Sequence, residues 1–258
     1  MRIVTLTTDF GLDDWFVGTM KGVILGHAPR ATLVDLTHSV PRGDITAGAF
    51  ALCAACPYFP PGTVHVAVVD PGVGSARAAI AARTANYFFV GPDNGVLALA
   101  LGQERVVAVH RLENPKFFLP KVSRTFHGRD VFAPVAAALA CGTPVQRLGP
   151  KQAGFEALGW PQPRRVARGL RGEVVYVDRF GNAITNVPAR LTARPGAKAI
   201  VRAGRVSFGP LAGCYQAVKE GRPVAVIGST GFVELAVNGG SAARRFRLRR
   251  GSPVEILP

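Results

Sequence analysis

The chain has 258 residues, 48% of them hydrophobic and 18% charged, enough to fill the core of one large domain or two modest ones. No apolar run approaches the ~20 residues of a bilayer-spanning helix, Asp9 interrupts the opening "MRIVTLTTDFG" where a secretion signal would still be apolar, and four cysteines are too few for a disulfide scaffold, so a cytoplasmic protein without membrane attachment is expected. The net charge of +15 admits nucleic acid, but basic residues are thinly spread until "PRRVARGLR" (163–171) and "ARRFRLRRG" (243–251), the second alternating like a strand with one wet face; a solvated surface is expected there, not a nucleic-acid partner.

In chain order, "RIVTLTT" (2–8), "ATLVDLT" (31–37), "TVHVAVVD" (63–70) and "YFFVGPD" (87–93) read as strands, each ending in polar or turn residues. Helical patterns alternate with them. "DDWFVGTMKGVILGHA" (13–28) opens with carboxylates suited to a helix N-terminus, and "DITAGAFALCAAC" (44–56) offers Asp44 as an N-cap. "GRDVFAPVAAALACG" (128–142) predicts a helix from Arg129 toward Gly142, provided Pro134 falls in its first turn. Such alternation predicts an α/β domain over residues 1–145 with a mainly parallel sheet covered by helices. Residues 146–167 are rich in Pro and Gly without a sustained period and read as a linker. From 168 to 258 come "GEVVYVDRF", "NAITNV", "KAIVRAG", "RVSFG", "PVAVIGS", "GFVELAV" and "SPVEIL", short β-rich runs that predict a smaller all-β domain, an antiparallel barrel or a sandwich.

Ligands of a parallel sheet gather beyond the carboxyl ends of its strands. Asp9, Asp70 and the "GPDNG" containing Asn94 all fall at such ends. In "VVDPGVGSAR" an apolar run stops at Asp70, turns through Pro71, Gly72 and Gly74, and returns to Arg77: either the turn delivers an anion and a cation to one place, or it merely closes a strand. A phosphate loop would need Gly-Lys-Ser/Thr, and a dinucleotide fingerprint needs a small residue where Arg77 stands, so both are excluded. His27, His38, His65 and His110 sit in apolar or helical contexts that suit structural roles, and no H-E-x-x-H occurs. Cys53 and Cys56 form a C-x-x-C inside an apolar helix, which reads as packing; no second pair completes a metal site. His127 differs, lying in "RTFHGRD" between Phe126 and Gly128 just before a helix.

Six stretches in this order, "TTDFG", "VVDPGVGSAR", "GPDNG", "TFHGRD", "DRFGNAITN" and "GSTGFVELAVN", resemble the S-adenosyl-L-methionine hydrolases (adenosine-forming), or SAM hydroxide adenosyltransferases, relatives of fluorinating and chlorinating enzymes. The resemblance covers essentially the whole chain. It implies an α/β domain followed by a β-barrel, a homotrimer with sites at subunit interfaces, no metal or organic cofactor, and attack of water on the ribose C5′ of S-adenosyl-L-methionine. The implied catalytic set is Asp70, Arg77 and His127. Asp9 resembles the holder of the ribose hydroxyls, Asp178 that of the methionine ammonium, Asn182 an adenine partner and Tyr215 an aromatic stacked on adenine. Ser229 and Glu234 resemble contacts to the methionine part and the adenine edge, Tyr58 a lining of the water or sulfonium region, and Asn94, Phe126 and Val237 further substrate contacts. Halogenating relatives carry a serine where this chain has Gly128, and a long insertion that it lacks, which favours water over halide. Where many relatives have an aromatic residue, this chain has Arg42 and Gly43, predicting a more open wall. Halogenation, or binding without turnover, are the rival outcomes.

Overall fold

A computed structural model describes residues 2–192 and 199–258, so Lys198, at the start of one predicted strand, lies outside the described residues. The chain divides into two compact units, Met1–Leu158 and Gly159–Pro258.

The first unit runs β1 (Ile3–Thr8), α1 (Phe16–His27), β2 (Thr32–Thr37), α2 (Ile45–Ala55), β3 (Val64–Val68), β4 (Ala79–Thr84), β5 (Phe88–Pro92), α3 (Ala98–Gly102), β6 (Val106–Arg111), α4 (Ala133–Ala140) and β7 (Lys151–Gln152). Its sheet has the order β2-β1-β3-β5-β4-β6-β7. The β2, β1, β3 and β5 neighbours are parallel, and an antiparallel extension through β4, β6 and β7 completes the far side. Alternation along each strand splits the core between two faces. Val4, Leu6, Val64 and Val66 join Met20 and Ile24 of α1 and Val135 and Leu139 of α4, whereas Thr5 and His65 point the other way and hydrogen-bond at 2.8 Å. Helix α2 starts where the pattern predicts, with Asp44 accepting from the Ala47 N–H at 3.0 Å. Helix α1 starts later than predicted: Trp15 is its N-cap, the first turn holds no acid, and Asp13 and Asp14 precede it. Strands β4 and β6 were not predicted; the alanines of "AIAART" leave little contrast between buried and wet faces.

The second unit holds β8 (Arg164–Val166), β9 (Gly169–Val177), β10 (Ala183–Pro188), β11 (Ile200–Ala203), β12 (Val206–Ala212), β13 (Pro223–Ile227), β14 (Phe232–Val237), α5 (Ala242–Phe246) and β15 (Pro253–Leu257). Pairing runs β10-β14-β13-β12-β11-β15-β9, and a further β9–β10 pairing closes this ring into a seven-stranded barrel, with β8 added outside β9. The barrel therefore prevails over the sandwich, and β12–β13 is a parallel pair within it. Val174, Val187, Val201, Phe208, Ala225, Leu235 and Val254 fill its core.

Two expectations change. "ARRFRLRRG" is not a strand: Ser241 caps α5 by accepting from the Arg244 N–H, Ala242 and Phe246 share one face four residues apart, and Arg247, at φ 54°, ends the helix. The predicted linker is not featureless either. Its β7 pairs with β6 and its β8 with β9, strands too short to show a period in sequence.

Candidate active site

Parallel register puts the loops after β1, β3 and β5 beside one another. Asp70 follows β3, and the chain turns through Gly72 and Gly74 before Arg77 leads into β4. Gly74 has φ +76°, and a Cβ there would overlap the Arg124 carbonyl oxygen, so glycine is what lets this turn press against the segment leading to His127. Arg77 Nε donates to Asp70 Oδ1 and Oδ2, both at 3.0 Å, and Nη2 donates to Oδ2. The same Nη2 lies 2.7 Å from His127 Nδ1. With the Asp70 side chain 4% and the Arg77 side chain 11% exposed, this is a buried ion pair, in which loss of either partner strands the other. Phe132 stacks under the guanidinium, its ring 5.5 Å from Cζ.

Because a guanidinium nitrogen only donates, His127 Nδ1 is the acceptor and the neutral ring carries its proton on Nε2. Burial lowers the His127 pKa below its ordinary value, Arg77 adds to that, and Asp70 and Asp130 oppose it. Nη1 donates to the Ala78 carbonyl at 3.4 Å; among the described residues, one Nη1 N–H and the His127 Nε2–H remain as donors.

His127 stands directly before a π turn, Gly128–Phe132, in which the Ala133 N–H bonds the Gly128 carbonyl. The predicted helix is thus split, with Pro134 in the first turn of α4. Proline has no N–H for the Asp130 carbonyl four residues back, and the Leu119 N–H occupies that carbonyl instead at 2.9 Å. The fully buried Asp130 carboxylate also accepts from the Ser123 N–H at 2.7 Å and from Arg129, tying down the segment before His127. Phe10, Phe16 and Phe126 meet alongside in tilted and edge-on contacts, and a Cβ on Gly128 would come 3.1 Å from Met20 Sδ and 3.2 Å from Phe126. A side chain at 128 would crowd this cluster.

Asp9 does not cap α1; its Oδ2 accepts from the Gly43 N–H at 2.7 Å. Asn94 spends its amide on the strand ends, donating to the Val69 carbonyl and accepting from the Val96 N–H, which buttresses the approach to Asp70. Tyr58, 80% exposed, follows the end of α2 that leads into the start of β3, so it lies at the opposite end of the sheet from Asp9 and Asp70 and is not brought to them. The Cys56 and Cys53 thiols are pushed up by burial, to about 12 and about 11, which makes them poor nucleophiles.

Within the barrel, Asp178 and Asn182 close the β9–β10 turn: Oδ1 accepts from the Asn182 N–H at 2.8 Å and Oδ2 from its side-chain amide at 3.0 Å. Tyr215 Oη donates to Glu234 Oε1 at 2.5 Å. Burial raises the Glu234 pKa and Asp178 adds to it, while the Tyr215 bond works against both. Gly228 makes room for this carboxylate, since a Cβ there would overlap Glu234 Oε2. Ser229 is exposed in the β13–β14 turn, and Val237 belongs to the barrel core. Sequence patterns missed Asp130 and Phe132; the Pro134 four residues after Asp130 was the available signal of a carbonyl needing another partner.

An α/β unit that holds an arginine between a carboxylate and a neutral imidazole at its strand ends, followed by a closed barrel with a buried carboxylate, defines a two-unit protein with a compact Asp, Arg and His set. Models of the SAM hydroxide adenosyltransferase N-terminal and C-terminal domains match residues 4–149 and 172–255. The chain belongs to the SAM hydroxide adenosyltransferase family. An (R)-S-adenosyl-L-methionine hydrolase from Thermus thermophilus is 44% identical, covering 100% of both chains. A crystal structure of an uncharacterized conserved protein from Thermotoga maritima superposes with a TM-score of 0.92 at 38% identity, covering 100% of both chains. A fluorinase from Actinoplanes sp. is 26% identical over 98% of this chain and 97% of its own.

Proposed function

We propose that the protein hydrolyses S-adenosyl-L-methionine to adenosine and L-methionine without a metal or organic cofactor. One observation carries this reading: Arg77 touches Asp70 and His127 at once. In the reaction the C5′–O bond forms as the C5′–S bond breaks, and the electron pair leaves with sulfur as a neutral thioether. A nucleophile with hydroxide character meets a cationic substrate, so opposite charges cancel toward the transition state and dry surroundings favour the step. The remaining Nη1 N–H and the His127 Nε2–H suit an oxygen gaining negative charge. Both His127 nitrogens are then committed, so Asp70 is the group that takes the water's proton before it passes to solvent. Asp9 would hold the ribose hydroxyls, Asp178 the ammonium, and Asn182, Tyr215, Ser229 and Glu234 the rest of the substrate.

The working form is a homotrimer with interfacial sites, located in the cytoplasm. Exposed Leu12 and Trp15 in the first unit and Phe180 in the second are apolar surface that a neighbour would cover, and among the described residues no helix is long and apolar enough to cross a membrane. The test is chromatography of purified protein incubated with substrate. Adenosine and methionine in equal amounts, unaffected by chelator and lost in Arg77→Ala, are expected; a 5′-halogenated adenosine in chloride or fluoride buffer, or binding without turnover, would overturn the reading.

A further inference from the structure

His38 lies outside the Asp70, Arg77 and His127 set, yet it is bound to the loop that carries Asp9. Its Nδ1 is 2.8 Å from Thr8 Oγ1, and its backbone carbonyl accepts from the Gly11 N–H at 2.8 Å. Thr8 Oγ1 also accepts from the Phe10 N–H at 3.2 Å. On the other side of the ring, Nε2 sits 3.0 Å from Asp35 Oδ1, off the hydrogen-bond line, and Asp35 Oδ2 takes the Lys21 ammonium at 2.6 Å. A carboxylate beside Nε2 favours the proton on that nitrogen, so Nδ1 accepts, the Thr8 hydroxyl donates to it, and the hydroxyl lone pair receives the Phe10 N–H. Every hydrogen in this chain of contacts then has one direction. Thr8 and His38 are both buried, so each loses an interior partner if the contact is removed. Five residues past His38, the Gly43 N–H occupies Asp9 Oδ2. The segments 8–11 and 38–43 are therefore fastened on both sides of Asp9, and among the described residues Oδ1 is its carboxylate oxygen without a hydrogen bond.

We propose that His38 is a positioning residue: through Thr8 it fixes the Thr8–Gly11 loop so that Asp9 presents its carboxylate to the vicinal diol of a nucleoside. This rests on the reading of Asp9 as the ribose holder, and the experiment separates the two. Calorimetry measures adenosine and 2′-deoxyadenosine binding to the whole protein and to Asp9→Asn, His38→Gln, His38→Asn, Thr8→Val and Thr8→Ser, with urea midpoints recorded for each. Asparagine can keep an acceptor where Nδ1 stands and serine keeps the hydroxyl, whereas glutamine and valine remove the contact. Expected is a loss of about tenfold in adenosine affinity for Asp9→Asn, His38→Gln and Thr8→Val, with little change for the deoxy compound, and recovery in His38→Asn and Thr8→Ser. Loss in Asp9→Asn with an unchanged adenosine-to-deoxyadenosine ratio in Thr8→Val and His38→Gln would leave His38 a purely structural residue and overturn the proposal. No loss in Asp9→Asn would overturn the ribose reading and the proposal with it. Should His38→Gln fail to fold, the Thr8→Val and Thr8→Ser pair decides, since it differs from the native chain by a hydroxyl or a methyl alone.

Discussion

At the strand ends of the α/β unit, Arg77 neutralises Asp70 directly and leans on a histidine kept uncharged. In the barrel, Glu234 has a tyrosine hydroxyl for its partner and Asp178 an asparagine amide, although that unit carries seventeen Lys and Arg against five Asp and Glu. Neutral donors thus meet both the buried Glu234 and the half-buried Asp178. Under the proposed reading, charge meets charge where a reacting oxygen would gain it, and neutral donors serve where shape and hydrogen bonds would suffice for recognition. The difference predicts that damage to the first set falls on rate and damage to the second on affinity.

Arg77→Ala gives the largest effect. Adenosine release should fall ~10²-fold or more, and the stranded Asp70 should lower unfolding free energy by about 3–5 kcal/mol in urea titration; a small effect on both would erase the contrast between the units. Next comes Tyr215→Phe, expected to weaken adenosine binding on the order of tenfold with kcat nearly kept. It also removes the bond that opposes the upward shift of Glu234. Between the ordinary 4.5 and its raised value, the folded state keeps a proton that the unfolded state has released, so stability falls as pH rises through that window, and Tyr215→Phe should widen it. Potentiometric or urea titration against pH reads this directly.

His127 gives the opposite slope. Its folded pKa lies under the ordinary 6.5, so on acidification the unfolded chain takes the proton first, and stability is lost as pH falls below 6.5 toward the folded value. Activity should hold to below that pH and then drop, because a protonated Nδ1 cannot accept from Arg77; His127→Asn should shift or abolish this acid limb. The smallest effect is expected at the thiols: in the native protein Cys141 and Cys214, both exposed, should be alkylated at neutral pH well before Cys53 and Cys56, and Cys53→Ala should leave turnover unchanged.

Legibility in the sequence follows the same division. Each of the seven β-rich runs of the barrel forms a strand among the described residues, because alternation and turn residues are local signals. Asp70 and Arg77 are legible as a pair since one tight turn separates them. The contact from Thr8 to His38 is not, because it joins the ends of two parallel strands thirty residues apart in the chain, and no local period encodes which loops a sheet will set side by side. Likewise "ARRFRLRRG" misleads because an alternating pattern and a single helical turn with apolar residues four apart cannot be told apart over so few residues.

The widened turn at Gly128–Phe132 sets the azimuth of His127. Each α-helical residue advances the chain by about 100° around the axis, and a π turn accommodates one residue more than an α turn does. If that surplus residue annealed into regular helix, everything upstream would swing by roughly this angle and the imidazole would point away from Arg77. Pro134 has no N–H for the Asp130 carbonyl, which the Leu119 N–H takes instead, so the wide turn is tied to the segment upstream of His127 as well as to its own helix.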